Sequence, residues 1–126
     1  KYPITPEQEF VEAHSFLAVI ENKEIPSLKS LKVSEASYIL GLLDCIGELK
    51  RFVLDNIRND QLKKADRIFN VMENLYQALY PFAMYDKIVK ETRRKLDVNR
   101  ILVEETRAVI TEEIRRNHFV KALTKK

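Results

Sequence analysis

Apolar residues recur three and four positions apart along nearly the whole chain, and no segment alternates with period two long enough to make a strand. The first predicted helix has Thr5 as N-cap, Pro6 at its first position and Gln8 three residues after the cap, a capping-box arrangement, and runs to about Asn22. The stretch KEIPSLKSLK around Pro26 is expected to be a loop with short helical turns. Ser34 caps the second helix, VSEASYILGLLDCIGELKRFVLDNI. Asn59-Asp60 breaks it, and a third helix is predicted from Gln61 to Tyr80, stopping before Pro81. The last is long, from about residue 82 or 84 to His118, with LTKK as a frayed tail. The fold class expected is all-α: one domain over residues 1–126, an antiparallel bundle of four main helices with a long C-terminal helix.

Two pairs of acids interrupt this pattern. Glu9 and Glu12 stand three apart in QEFVEA; Asp44 and Glu48 stand four apart in GLLDCIGELKR. Each spacing puts both carboxylates on one face of a helix. With Glu9 at zero and ~100° per residue, Ala13, Phe16 and Ile20 fall within about 40° of it. Glu12 and Val19 flank that group, and Glu7, His14, Glu21 and Asn22 gather opposite. Glu9 and Glu12 are therefore expected on the buried face, where a carboxylate is costly unless a cation or dense hydrogen bonding compensates it. A wet edge to that face, or an Arg from another helix, would also compensate them. On the second helix Ile39, Leu42, Leu43, Ile46, Leu49, Val53 and Ile57 cover most of the circumference. Ser37, Asp44, Glu48, Arg51 and Asp55 form a narrow polar stripe, which by itself reads as a solvated face. Brought together, the two pairs would form an oxygen-rich cage suited to Mg²⁺ or Mn²⁺.

Composition narrows the alternatives. The 126 residues suffice for one domain with a real core. Only two glycines and four prolines punctuate them, which favours long helices. Two glycines cannot build a phosphate-binding loop or a dinucleotide fingerprint, and one Cys with two His cannot make an ordinary structural zinc site. Gly41 and Gly47 lie inside the second helix, where close packing or ligand access would explain them. Cys45 is the only cysteine, so no intrachain disulfide forms and an intracellular, cytoplasmic location is the default. No apolar run is long enough to span a membrane, and none is expected as a partner. The chain starts at KYPITPEQEF without Met or a signal-peptide pattern, as a processed or truncated chain would.

Charge is unevenly spread. Residues 1–60 hold 7 Lys/Arg against 10 Asp/Glu, net −3; residues 61–126 hold 15 against 9, net +6. The basic half permits nucleic-acid binding without demanding it. Arg93, Arg100 and Arg107 recur every seven residues beside Asp97 and Glu104, a pattern better read as intrahelical ion pairs than as a phosphate-tracking strip. Arg93-Arg94-Lys95 and Arg115-Arg116, as clusters, are the better candidates for RNA contact.

QEFVEAHSF followed by SYILGLLDCIGELKR resembles the translin/TRAX family, and specifically its catalytic TRAX-like branch. RRKLDVNRILVEET is similar to the family's last helix. The GEL-x-R helix is shared with noncatalytic translin; the acids of QEFVEA are what point to the catalytic branch. Ser37-Tyr38 departs from an Asp-Tyr common in the family. The resemblance covers most of the chain, which reads as the C-terminal two-thirds of a member lacking N-terminal helices. It implies a Mg²⁺- or Mn²⁺-dependent endoribonuclease acting on single-stranded RNA, with single-stranded DNA as a further candidate. It also implies an oligomeric shell with inward-facing sites, built from this chain alone or together with translin-like subunits. Carried over by position, the site residues are Glu9, Glu12, Asp44 and Glu48. Glu12, Asp44 and Glu48 would be the main ligands, and Glu9 a further ligand or the residue that orients or deprotonates the attacking water. Two alternatives stand beside it: a noncatalytic translin-like RNA- or DNA-binding subunit, and an all-α nucleoside triphosphate pyrophosphohydrolase, which also holds Mg²⁺ with two acidic pairs.

Overall fold

A computed structural model describes residues 4–85 and 90–125. The regular structure among the described residues is entirely helical: α1 (Pro6–Ile20), α2 (Leu28–Leu31), α3 (Glu35–Arg58), α4 (Leu62–Tyr85) and α5 (Lys90–Thr124). The all-α expectation holds, with four main helices and one short turn of helix in the Pro26 loop.

The local signals act as read at both early helix starts. At α1, Thr5 Oγ1 accepts from Gln8 N at 3.2 Å while Gln8 Oε1 accepts from Thr5 N at 3.1 Å, closing the capping box. At α3, Ser34 Oγ accepts from Ser37 N at 3.1 Å. Asn59 caps the end of α3 and Asp60 turns the chain in the left-handed region at φ 59, so α4 returns antiparallel to α3.

Two ends differ from expectation. The third helix does not stop at Tyr80 but carries Pro81 inside it and continues to Tyr85. Proline's fixed φ is helical, and near a helix end it forfeits one hydrogen bond, here to the carbonyl of the exposed Gln77, which water can serve. The last helix continues through the segment expected to fray, to Thr124, because Lys121, Ala122 and Leu123 are all strong helix formers.

α3 is the central element and packs against α1, α4 and α5. Its buried Ile39, Leu42, Leu43, Ile46, Leu49 and Val53 meet Val11 and Val19 of α1, Ala65, Ile68 and Met72 of α4, and Leu96, Val103 and Ile110 of α5. The crossover through α2 brings the chain back so that α1 runs alongside α3 in the same direction. Glu7 Oε1 accepts from Ser34 N and Oγ, both at 3.3 Å, at one end, and Phe16 packs edge-on against Phe52 at 5.8 Å further along. α5 also runs with α3: Asn99 Nδ2 donates to Leu43 O at 2.8 Å, and Lys50 Nζ meets Glu105 Oε1 at 2.9 Å. Arg67 of α4 donates to Val19 O at 3.2 Å and so closes the C-terminal end of α1.

The two glycines of α3 do different work. A methyl group on Gly41 would lie 2.6 Å from Val11 Cβ and 2.8 Å from the Gln8 carbonyl oxygen, so the backbone of α1 occupies the space of that missing side chain. At Gly47 the nearest atom to such a methyl would be Leu102 Cδ1, at an ordinary 3.9 Å. The same substitution should therefore act oppositely at the two sites. Gly41→Ala should destabilise by about 1–3 kcal/mol through overpacking against α1. Gly47→Ala should be neutral or stabilise by up to about 1 kcal/mol through helix propensity. Urea unfolding of both variants checks the pair of signs.

Candidate carboxylate site between α1, α3 and α5

α1 presents a different face to the core than its apolar pattern suggested. Gln8, Val11, Ser15, Ala18 and Val19 are buried, whereas Glu9 and Ala13 are exposed and Phe16 and Ile20 only half-buried. The buried strip is centred roughly 130° round the helix from Glu9 at ~100° per residue. The shift has a steric cause: the notch at Gly41 accepts Val11 and the Gln8 backbone, and the small Ser15 lies in the same strip. Glu9 is thus not on the buried face, and Glu12 flanks it, half-buried.

From that flank Glu12 faces α3. Burial raises its carboxyl pKa above the ordinary 4.5, and the charges of Asp44 and Glu48 raise it further, with a lesser contribution from Glu9. The ammonium of Lys95 acts in the opposite direction. The four acids therefore share one electrostatic neighbourhood, with Glu9 at its rim. Asp44 is not on a solvated stripe: its side chain is 17% exposed, and Oδ1 takes Lys95 Nζ at 2.5 Å. Its second oxygen, Oδ2, is buried without a hydrogen-bond partner. Glu48 is more open, at 38% exposure, and meets Arg51 at 3.5 Å.

Beside Asp44 opens a cleft of about 320 Å³ between α3 and α5, lined by Gly47, Arg94, Lys95, Val98, Asn99 and Leu102 among others. Of the basic residues expected to contact RNA, Arg93 and Arg94 are exposed on the first turns of α5, and Lys95 and Arg94 border this cleft. Arg115 and Arg116 lie roughly 30 Å further along the same helix and do not belong to the site. Arg116 pairs with Glu113 at 3.6 Å. Of the seven-residue arginine series, Arg100 makes the expected pair with Glu104, at 3.7 Å, while Arg107 reaches across to Glu73 of α4.

Residues 5–110 match the pattern of the translin family. The chain belongs to that family. It is 46% identical over 106 residues to the uncharacterized protein MJ0175 of Methanocaldococcus jannaschii, a match covering 83% of this chain and 47% of that protein. It is also similar to two solved structures, described as AfC3PO and as an AfC3PO–duplex RNA complex. Each is 32% identical with a TM-score of 0.77, over 87% of this chain and 58% of the other. The chain thus spans about half the length of the relatives it matches.

The donor chemistry of this translin-family site suits a hard divalent cation, being entirely carboxylate oxygen with excess negative charge and one buried orphan oxygen. Among the described residues, no three Asp, Glu, His or Cys side chains are already arranged around a common metal position. Lys95, not a metal, neutralises Asp44 here. Sequence reasoning assigned Lys95 to RNA and missed this pairing, which only the parallel packing of α3 and α5 reveals. Cys45, between these acids and fully buried, has its thiol pushed up to about 12 by burial first and then by Glu12, Glu48 and Asp44. His14 is exposed and packs at a tilt against Phe10, with ring centroids 4.3 Å apart, whereas Cys45 is buried, so no Cys–His nucleophilic pair forms with it.

Two outcomes follow. Because folding raises the Glu12 pKa, its charged form opposes folding at neutral pH, and the opposition fades as pH falls towards 4.5. Glu12→Gln should raise Tm at pH 7 in metal-free buffer, with the gain shrinking on acidification; calorimetry across pH checks it. Cys45 should resist thiol reagents at pH 8 in the folded protein and react on denaturation, as a colorimetric thiol titration would show.

Proposed function

We propose that this chain is a TRAX-like, metal-dependent endoribonuclease subunit of the translin family. The observation that carries the reading is the half-buried Glu12, held by the α1–α3 contact in the field of Asp44 and Glu48. An acidic cluster that Lys95 and Arg51 compensate only in part costs stability, and a divalent cation would recover that cost. Glu12, Asp44 and Glu48 would hold Mg²⁺ or Mn²⁺. Glu9, exposed at the rim, suits orienting or deprotonating a water. When bound, the cation supplies a hydroxide at neutral pH and charge stabilisation at the phosphodiester.

RNA as the substrate class is supported by the similarity to a protein described in complex with duplex RNA, and by Arg94 and Lys95 beside the site, with Arg93 exposed on the same turn of helix. Single-stranded RNA is proposed as the cleaved form, with single-stranded DNA as a competing ligand. Assembly into an oligomer, from copies of this chain or with translin-like subunits, is supported by exposed Phe119, Val120 and Leu123 on α5 and Phe10 and Leu17 on α1. No helix among the described residues is long and apolar enough to cross a membrane.

The Asp44–Lys95 pair favours a second reading, in which the carboxylates are structural and the chain is a noncatalytic RNA- or DNA-binding subunit. Translin-family membership leaves the pyrophosphohydrolase reading without support. Glu12→Ala should lower Mn²⁺-dependent cleavage of a single-stranded oligoribonucleotide by about 100-fold or more, with helicity and oligomeric mass unchanged. Cleavage retained in that variant would reject the assignment of Glu12. A wild type that binds RNA but neither binds Mn²⁺ nor cuts would favour the binding subunit.

A further inference from the structure

We infer that Lys95 is a built-in counter-ion that holds the place of the divalent cation at Asp44, and that metal entry proceeds by displacing it. The inference rests on the metal-site reading above and goes beyond it, since it concerns a residue outside the carboxylate set.

Two observations carry it. Lys95 Nζ lies 2.5 Å from Asp44 Oδ1 with both side chains largely buried, at 15% and 17% exposure. Asp44 Oδ2 remains buried and unpartnered, so the ammonium satisfies only part of what the site can donate. An ammonium on one Asp44 oxygen leaves the other for a divalent ion to meet. A divalent ion brought to Oδ2 would lie within a few ångströms of the ammonium on Oδ1, and two cations that close in a largely buried site repel strongly.

Displacement also has somewhere to go. Lys95 lines the cleft beside Asp44, which is bordered by Arg94, Asn99 and the bare backbone of Gly47. A flexible four-carbon stem can swing its ammonium from Asp44 into that cleft without moving α5. There it adds to the charge of Arg94 on the side from which a phosphodiester would approach. The same residue then keeps the metal-free site folded and, once displaced, presents a cation to the substrate backbone.

Isothermal titration of Mn²⁺ alone into wild type and Lys95→Met tests this, paired with metal-free melting curves. The variant should bind Mn²⁺ about tenfold more tightly or better, because no ammonium must be displaced. It should also melt lower than wild type without metal and regain that loss when Mn²⁺ is added. Equal or weaker Mn²⁺ affinity in a folded variant would overturn the inference while leaving the metal site standing. If neither protein binds Mn²⁺, the metal-site reading fails and the inference falls with it. A measurement on wild type covers the case of a variant that does not fold. With Mg²⁺ binding verified calorimetrically, the side-chain NMR signal of Lys95 should move to that of a lysine released from its ion pair. A signal that stays put while Mg²⁺ binds would overturn the displacement.

Discussion

The close approach of α1 to α3 is the contact on which the site depends, and Gly41 sets its distance. A backbone carbonyl oxygen of α1 lies only 2.8 Å from where any other residue would place its Cβ. That approach sinks Val11 completely and carries Glu12, one residue on, to the edge of the buried seam. Had α1 stood off by the width of a methyl group, Glu12 would be a surface carboxylate with ordinary acidity. The glycine costs helix propensity in the middle of the most buried helix of the molecule. The structure accepts that cost to bring two acidic pairs from separate helices into one field.

A second layer of constraint comes from α5. Thr92, Leu96, Asn99, Val103, Thr106 and Ile110 form its buried strip, spaced four and three apart, so that polar and apolar side chains alternate along the contact. Such a strip stabilises less than an all-aliphatic one but fixes register, because a slipped helix would bury its polar groups unpaired. Asn99 shows how: its amide reaches the Leu43 carbonyl beside the open space at Gly47. With that register fixed, Lys95 stands one turn before Asn99 and meets Asp44. Helix packing, more than local sequence, thus decides which cation answers the acids.

These two layers explain what was legible in the sequence. The capping box at Thr5, the Ser34 cap and the apolar circumference of α3 could be read because each is a local or single-helix property. The face of α1 could not. Its buried strip contains Gln8 and Ser15 and leaves Phe10 and Leu17 exposed, so an apolar wheel points the wrong way. Gly41 was the available signal, since a glycine within a long apolar helix asks what lies against it. Pro81 misled for a related reason: a helix-ending rule assumes an interior proline, and one near a helix end loses little. Asp44 looked solvated on its own helix, and the pairing with Lys95 depends on a contact between residues 51 positions apart.

The weight of the functional argument moves accordingly. In the sequence, Glu9 and Glu12 stand together as misplaced acids; in the fold they separate. Glu9 is exposed and pays no desolvation cost that would require a functional explanation. Glu12 and Asp44 do need one, because both are withdrawn from water near like charge, and the Lys95 ammonium that pairs with Asp44 offsets only part of the burial and like-charge effect on Glu12. A single lysine neutralising one oxygen of a multi-carboxylate cluster leaves the cluster stable enough to fold and still short of charge. That intermediate state, neither an apolar core nor a saturated ion-pair network, is what the proposed metal-dependent reading requires of these residues.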